Sequence, residues 1–384
     1  MSLSFLKVLN ISITAGWLVL AVVMLRLVLK KAPKWVHCLL WGLVALRLVL
    51  PFTIESRLSL LPSAEPVRRE AAAAERPADL RTASVPYERV VLHSGIDLFD
   101  DAVNPVLAKN AEDAAKAGAA QLPSAWTGAA WVWLAGVGAM LLYAAASFLY
   151  MKYRVRASIE TERNVYVCDD VQSPFILGAI RPRIYLPSGL DGQSRPHVLA
   201  HERAHIQRLD HLWKPVGFLL LSIHWFNPLI WMAFILFSRD IEFACDEKVI
   251  AQLDAEGKAA YSHTLLAFSR PGRGVAVCPV AFGEVGVKER IRSILQYKRP
   301  ALWAAPAALF VGAVFAVCFL TAPVSAQAVQ ARVDEPAPVS RLPLPKKLSA
   351  GSADREPEPE PEQEKTPISL NLLMCVDQQC DLAE

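Results

Sequence analysis

The sequence predicts a mainly α-helical, polytopic membrane protein that has four transmembrane helices and a cytoplasmic zinc peptidase domain of α and β structure. Its composition predicts the membrane part: 53% of the 384 residues are hydrophobic, and the mean hydropathy of +0.29 is high for a soluble enzyme. A polar run at residues 199–206 predicts the peptidase domain, because it carries two histidines and a glutamate at the spacing of a metal site.

Four apolar runs are long enough to cross a membrane as helices. Residues 126–151 and 301–320 contain no Asp, Glu, Lys or Arg, and each supplies the roughly 20 residues that a helix needs to cross the hydrocarbon core. Residues 11–29 and 35–52 are equally apolar except for one arginine in each. The sequence therefore predicts four transmembrane helices.

Basic residues beside these runs predict the topology. They follow the first and third runs and precede the fourth: Lys30, Lys31, Lys34, Lys152, Arg154, Arg156, Lys298 and Arg299. Because basic residues concentrate on the cytoplasmic side, we expect both termini to be extracytoplasmic. The expected segments are two transmembrane helices (1–53), an extracytoplasmic loop (54–125), a third helix (126–151), a cytoplasmic metallopeptidase domain (152–300), a fourth helix (301–320) and an extracytoplasmic tail (321–384).

His201, Glu202 and His205 form the motif that predicts the chemistry. Positions four apart share one face of a helix, so the two histidines can bind one zinc ion while the glutamate lies beside a zinc-bound water. An arrangement in which His197 also binds is excluded, because His197 and His205 would be about 12 Å apart along the helix axis. The motif therefore predicts a zinc site with two histidine ligands.

A third ligand must come from elsewhere in the chain, since catalytic zinc usually has three protein ligands and one open position. We expect Glu242, which lies in a polar helical stretch, residues 239–247, after a long apolar run. Asp246 lies one turn further along the same face and could accept the free N–H of a ligating histidine. The sequence thus predicts Glu242 as a ligand and Asp246 as a residue that orients one.

The predicted reaction is peptide hydrolysis. Zinc would acidify its bound water and polarise the scissile carbonyl, and Glu202 would take the proton as general base. The sequence leaves open which residue stabilises the oxyanion together with zinc. The unranked candidates are Tyr166, His224, Arg239, Tyr261 and His263.

Residues 212–237 are almost apolar enough to be a further span, but Lys214 and the Asn227-Pro228 pair interrupt them. Because His205 and Glu242 must meet at one ion, the chain between them has to return to the side that it left. Twenty-six residues are too few for two crossings. We therefore expect a hairpin of two helices that lies in the membrane interface or packs on the spans.

Three short runs before the motif have strand-like composition and are separated by proline and glycine: residues 165–167, 175–177 and 183–186. They predict a small sheet. An edge strand of this sheet could hold an extended substrate by β-augmentation.

Four motifs in a fixed order carry a resemblance to a known family: SPFILGAIRPRIYLP (173–187), LAHERAHIQRLD (199–210), FNP (226–228) and EFACD (242–246). Over roughly residues 1–320 the chain resembles the BlaR/MecR antirepressor metallopeptidases. The resemblance implies a gluzincin-like domain with His201, His205 and Glu242 on zinc and Glu202 as base, in a multi-pass protein of the bacterial inner membrane. It also implies that an external sensor drives the cytoplasmic protease, which inactivates a winged-helix transcriptional repressor. Self-cleavage within residues 279–288 is suggested by the same resemblance.

The sequence departs from this family after the last span. The β-lactam sensors carry a penicillin-binding domain with a Ser-x-x-Lys nucleophile there, whereas residues 321–384 contain no Ser-x-x-Lys and include the run REPEPEPE. We expect a disordered tail, and a signal that enters through residues 54–125, the spans or a separate sensor protein. Within that loop, residues 70–75 and 111–120 have a weak helical pattern, which favours solvated helix or disorder.

Two other functions remain open. One is a housekeeping membrane zinc protease that removes damaged proteins, and the other is a receptor scaffold without catalysis. The general base Glu202 argues against the scaffold, because binding alone does not require it. The net charge of +3 and the basic clusters at the membrane edges are what the topology demands, so the expected partners are the lipid bilayer and a protein substrate, with no direct contact to nucleic acid.

Overall fold

The computed structural model describes residues 2–50, 54–55, 59–60, 66–76, 83–116, 124–268 and 286–322, all of which lie in one compact unit, Met1–Gln330. The helices are α1 (Ser2–Val28), α2 (Lys34–Val49), α3 (Asp97–Lys116), α4 (Ser124–Arg154), α5 (Arg195–Gln207), α6 (Asp210–Ile223), α7 (Pro228–Ile250), α8 (Ala255–Phe268), α9 (Val287–Leu295) and α10 (Ala304–Leu320). The strands are β1 (Ile54–Glu55), β2 (Val67–Arg76), β3 (Ala83–Leu92), β4 (Ile159–Glu162), β5 (Val165–Cys168), β6 (Phe175–Leu177), β7 (Arg183–Pro187) and β8 (Thr321–Ala322). The structure is mainly helical, as predicted. The expected tail beyond residue 322 and most of the expected self-cleavage stretch lie outside the described residues.

Among the described residues, two helices, rather than the predicted four, are long and apolar enough to cross a membrane: Leu3–Val28 and Trp126–Ala157. The other two predicted spans form apolar helices, but α2 has 16 residues and α10 has 17, fewer than the roughly 20 of a full span. The end of α2 has a local cause. Leu50 is extended (φ −83°, ψ 114°) and precedes Pro51, whose ring disfavours helical geometry in the residue before it.

A core of apolar side chains holds α1, α2, α6 and α7 together. Its buried members include Leu18 and Val22 of α1, Trp41 of α2, Phe218 of α6 and Phe234 of α7. Met140 and Ala144 of α4 pack against the same core. The two long apolar helices and the hairpin of α6 and α7 therefore form one bundle.

The α6–α7 hairpin turns at Asn227, where the sequence predicted the interruption. The Asn227 side chain accepts a hydrogen bond from the Leu229 N–H (2.9 Å), which caps α7, and its Nδ2 donates to Ser12 of α1. Trp225 lies so close to Gly136 of α4 that a Cβ there would overlap its indole ring. The hairpin therefore packs against apolar helices that the sequence predicted as spans.

A four-stranded sheet, in the order β4-β5-β7-β6, precedes α5. β5 and β7 are parallel, and the other neighbours are antiparallel. The three predicted strands are present, and β4 is an addition whose four residues are all exposed, so it lacks the apolar alternation by which a strand is recognised. Val165 and Ile184 of the sheet pack on Leu199 of α5, which fixes the helix that bears the motif.

The expected outer loop contains a β-hairpin of β2 and β3, antiparallel from Val67 opposite Leu92 to Arg76 opposite Ala83, with α3 after it. Residues 70–75, for which the sequence favoured solvated helix or disorder, lie within β2. The helical preference of the alanines is overridden by pairing with β3, which is richer in β-branched residues. Asn10 of α1 joins the hairpin by hydrogen bonds to both the N–H and the carbonyl of Val67 (2.6 and 2.9 Å).

Candidate metal centre

Three buried side chains from α5 and α7 converge at one point. His201 and His205 lie one turn apart on α5, and their Nε2 atoms are 3.1 Å apart. Glu242 of α7 places Oε2 3.4 Å from His201 Nε2 and Oε1 3.6 Å from His205 Nε2. These are the three residues that the sequence predicted as ligands, and the structure brings them together.

The geometry of this group fits one zinc ion. Two ligand atoms that each lie about 2.0–2.1 Å from a tetrahedral ion are about 3.3 Å apart, and the three observed separations are 3.1, 3.4 and 3.6 Å. Two imidazoles and one carboxylate also leave a fourth position open, which is typical of catalytic rather than structural zinc sites.

Asp210 contacts the imidazole of His205 on the side away from the candidate ligand position. Its Oδ2 lies 2.9 Å from His205 Nδ1, an arrangement that places the ring proton on Nδ1 and leaves Nε2 free to bind a metal. Burial would raise the pKa of Asp210, but the hydrogen bond with His205 and the charges of His205 and Arg208 hold it below its ordinary value. Asp210 was not among the site residues that the sequence predicted.

Leu209 brings Asp210 into this position. It adopts the left-handed conformation between α5 and α6 (φ 61°, ψ 27°), which is uncommon for a residue other than glycine, asparagine or aspartate. The turn ends α5 and directs the first residue of α6 back toward His205. A strained residue that persists next to a cluster of buried polar groups is typical of a functional site.

Tyr261 of α8 and Asp246 of α7 hold the imidazole of His201. The Tyr261 hydroxyl lies 2.9 Å from His201 Nδ1 and donates to Asp246 Oδ1 at 2.7 Å, while Asp246 Oδ1 itself is 3.4 Å from His201 Nδ1. The sequence expected Asp246 to orient a ligating histidine directly. In the structure, the Tyr261 hydroxyl lies closer to His201 Nδ1 than Asp246 does. It therefore links the ring to the Asp246 carboxylate by hydrogen bonds.

Two half-buried cations face the carboxylates of the site. Lys214 of α6 places Nζ 2.9 Å from Glu242 Oε1. Arg290 of α9 donates from Nε and Nη2 to Asp246 (2.8 and 2.7 Å) and places Nη1 3.3 Å from Glu242 Oε2. Burial would raise the pKa of Glu242, but the charges of Lys214 and His205 and the histidine hydrogen bonds hold it well below its ordinary value.

Of these two cations, the sequence provided a clue to the role of Lys214 but none to that of Arg290. Lys214 was noted only as an interruption of an apolar run, although a charge in such a run needs a buried partner. Arg290 is 44 residues from its partner Asp246, and no local pattern connects them. It reaches the site because Ile294 of α9 packs in the same core as Ile241 and Tyr261.

Glu202 and Cys245 complete the surroundings of the histidines. Glu202, the predicted base, is buried on α5 next to His201. The Cys245 sulfur lies 3.2 Å from both His205 Nδ1 and Asp210 Oδ2, so His205, Asp210 and Cys245 form a second group of potential metal donors. Because Nδ1 of His205 already has a carboxylate partner, this second group is better suited to hold the ring than to bind an ion.

Among the five candidates for oxyanion stabilisation, Tyr261 is the one that contacts a predicted ligand. The others have different surroundings: Tyr166 lies beside Tyr185 in the sheet, the His224 ring contacts the Leu220 carbonyl, Arg239 pairs with Glu289, and His263 is exposed on α8. Tyr261 is itself engaged with His201 and Asp246. Its contacts are therefore those of a residue that orients a ligand.

Known proteins resemble this chain over a region that includes the candidate metal centre. The family model described as BlaR1 peptidase M56 matches residues 6–294. The regulatory protein BlaR1 of Bacillus licheniformis is 27% identical over 229 residues, which is 52% of this chain and 38% of that protein. The methicillin resistance mecR1 proteins of Staphylococcus aureus (strain Mu50 / ATCC 700699) and Staphylococcus epidermidis are each 22% identical over 136 residues, which is 33% of this chain and 23% of those proteins. The chain thus spans less than half the length of the relatives that it matches.

Proposed function

The chain belongs to the BlaR1 peptidase M56 family, and from this premise we propose that it is an integral membrane zinc metalloendopeptidase that transmits a signal by cleaving a cytoplasmic protein. The observation that carries the proposal is the convergence of His201, His205 and Glu242 at separations of 3.1 to 3.6 Å. The general base is Glu202, and Asp246 belongs to the group that orients His201. Membership of a peptidase family supports the assignment.

His201, His205 and Glu242 would hold the zinc ion through Nε2, Nε2 and a carboxylate oxygen. Zinc, when bound there, supplies a Lewis acid that polarises a peptide carbonyl and makes water more acidic. Asp210 and Tyr261 keep both imidazoles in the orientation in which Nε2 points at the ligand position. Lys214 and Arg290 offset the charge of the buried carboxylates.

The remaining chemistry is proton transfer by Glu202. Its carboxylate takes a proton from the attacking water as the oxygen bonds to the peptide carbonyl carbon. The same carboxyl group then delivers that proton to the leaving nitrogen as the carbon–nitrogen bond breaks. One water is consumed and two peptide ends are formed, and Glu202 returns to its ionised state.

The site faces the cytoplasm in this proposal, within a domain of residues 152–300 in a bacterial inner membrane. The two long apolar helices support membrane insertion. Phe5, near the start of α1, lies 6.0 Å from Trp133, near the start of α4, so the two helices begin on the same side. Both end beside basic residues, and the positive-inside rule therefore supports C-terminal ends in the cytoplasm.

A transcriptional repressor, of the winged-helix type, is the substrate that we propose. The names of the matched relatives, a regulatory protein and methicillin resistance proteins, support a regulatory role over general protein turnover. The signal would come from the extracytoplasmic segment or a separate sensor protein. Self-cleavage within residues 279–288 is a further event that this function would accommodate.

Metal-dependent cleavage tests the proposal. Purified, detergent-solubilised protein is stripped of metal with a chelator and then reloaded with zinc, and each form is incubated with candidate cytoplasmic repressors and with unfolded casein. We expect the zinc-loaded form to cut a folded repressor at one bond and the stripped form to cut nothing. Cleavage of casein with no repressor cut would favour the housekeeping protease, and zinc binding without any cleavage would favour the scaffold.

A further inference from the structure

Asp240 of α7 is clamped by residues from both α1 and α2. Its Oδ1 lies 2.5 Å from Arg26 Nη2 of α1, and its Oδ2 accepts a hydrogen bond from Trp41 Nε1 of α2 at 2.7 Å. The Arg26 guanidinium also lies over the Trp41 ring, 5.6 Å from its centroid. Asp240 is only 1% exposed, so the carboxylate depends on these two partners.

The opposite face of α7 carries the metal-site residues. Successive residues of an α-helix are about 100° apart, so Glu242, two positions after Asp240, points about 200° away from it. Asp246 lies one turn beyond Glu242 and shares its direction. The helix therefore presents one carboxylate to α1 and α2 and two carboxylates to the site.

A second contact joins α2 to the same face of α7. Glu247 lies seven positions, about two turns, after Asp240 and accepts a hydrogen bond from the Lys34 backbone N–H at 2.6 Å through Oε2. Lys34 is the first residue of α2. The start of α2 and its middle are thus both fastened to the helix that carries Glu242.

A third contact joins α2 to His205. Arg208 donates from Nη2 to the Cys38 sulfur at 3.3 Å and from Nε to Asp210 Oδ2 at 3.3 Å, and the same Asp210 oxygen holds His205 Nδ1. Helix α2 therefore contacts the residues that position both Glu242 and His205.

We propose that Asp240 is a positioning residue that couples α1 and α2 to the metal site. A shift of α2 relative to α1 moves α7 through Asp240, and with it Glu242, so a signal that repositions the membrane helices changes the metal geometry and the rate of cleavage. This inference rests on the proposed function and specifies how the site is regulated. It also gives the arginine of the first apolar run, Arg26, a role as the partner of a buried carboxylate.

The test compares variants of the full-length, detergent-solubilised protein by two readouts other than cleavage. Zinc affinity is measured by competition with a chelator, and the visible absorption spectrum of the cobalt(II)-loaded protein reports ligand geometry. The variants are Asp240→Asn, which removes the charge, Trp41→Phe, which removes one donor, and Arg26→Lys, which keeps the charge. Glu162→Gln is the matched control, because Glu162 forms an exposed ion pair with Arg195 (3.0 Å) on the same domain.

We expect Asp240→Asn to weaken zinc binding about tenfold, the lower range for residues that support a ligand, and to shift the cobalt spectrum. Trp41→Phe and Arg26→Lys should each shift both readouts less than Asp240→Asn and in the same direction, because each alters one of the two partners of Asp240. Glu162→Gln should keep the wild-type values. A merely structural clamp would lower the melting temperature without altering the spectrum. If Asp240→Asn does not fold, the zinc affinity and cobalt spectrum of Trp41→Phe test the inference instead.

Unchanged zinc affinity and spectra in Asp240→Asn and Trp41→Phe, with zinc bound by the wild type, would overturn this inference and leave the proposed function intact. A wild type that binds no zinc would contradict the proposed function and this inference together.

Discussion

Asp210 Oδ2 lies 2.9 Å from Nδ1 of His205, although the two residues belong to different helices. The contact exists because Leu209 takes the left-handed conformation between them. A carboxylate in this position selects the tautomer of the imidazole and increases the basicity of its other nitrogen. The junction of α5 and α6 is thus part of the candidate metal centre.

Replacing Asp210 by Asn should weaken zinc binding by about 10–100-fold, the usual cost of losing such a partner. The amide keeps the shape of the side chain but removes the charge that fixes His205. Zinc affinity by chelator competition measures the loss. Asp191→Asn, an exposed aspartate in the loop before α5, is the control, and equal affinities in the two variants would show that Asp210 does not support the ligand.

Arg290→Gln should lower the stability of the protein by about 3–5 kcal/mol, because it leaves a buried carboxylate without its cation. Arg290 makes two hydrogen bonds to Asp246, and glutamine cannot replace a guanidinium fork. Chemical denaturation of the solubilised protein measures the change. Arg292→Gln on the exposed face of the same helix should have little effect, and a similar loss in both variants would contradict the assignment.

Zinc affinity should increase as the pH rises from 6.5 to about 9. Burial opposes protonation of His201, but hydrogen bonds with Asp246 and Glu242 raise its pKa from 6.5 to about 9 in the metal-free protein. This contribution to the stability of the metal-free protein is fully present below pH 6.5 and is lost as the pH rises through about 9. Zinc has to displace the proton, so its apparent affinity should gain up to about tenfold per pH unit in this range.

Proton release on zinc binding, measured by calorimetry in buffers of different ionisation enthalpy, checks this prediction. About one proton per zinc from His201 is expected at neutral pH. Zinc affinity that does not vary with pH over this range would contradict it. A His201→Ala variant serves as the control, because it lacks both the ligand and the titrating group.

Gly136→Ala should destabilise the helical bundle by about 1–3 kcal/mol, the usual cost of overpacking. A Cβ at Gly136 would overlap the indole of Trp225 in the turn of the α6–α7 hairpin. Gly138→Ala is a matched control on the same helix, since nothing lies within 4 Å of a Cβ there and both changes raise helix propensity equally. Thermal unfolding that is the same for both variants would show that the hairpin does not pack on α4.

The local parts of the site follow from the sequence, and the distant parts do not. His201 and His205 share a helix face because they are four residues apart, and this spacing is visible in the sequence itself. Asp210 lies five residues beyond His205, where a continuing helix would direct it elsewhere, so its role depends on the unusual conformation of Leu209. Arg290 depends on the packing of α9, which no local pattern reveals.

The apolar helices and the β2–β3 hairpin show the same contrast between features that a local pattern predicts and features that it does not. The composition of residues 126–151 was sufficient to predict the long helix α4, because an uncharged run of that length has few alternatives. The same reasoning predicted four spans, whereas two of the described helices are long and apolar enough to cross a membrane. Hydropathy does not register that α2 ends just before Leu50, the residue that precedes a proline. In the β2–β3 hairpin, the alanine run of β2 forms a strand because it pairs with β3. Helix propensity is a weak guide where strand pairing determines the local structure.

Cleavage by wild type and by Glu202→Gln, with zinc content determined in both, tests the central claim most directly. Glu202 is not a predicted ligand, so the amide should leave zinc bound while it removes the base, and cleavage of the repressor should fall by about 10²–10⁴-fold. Glu256→Gln, an exposed position on α8, should cleave as wild type does. A zinc-loaded Glu202→Gln protein that cleaves at the wild-type rate would contradict the account.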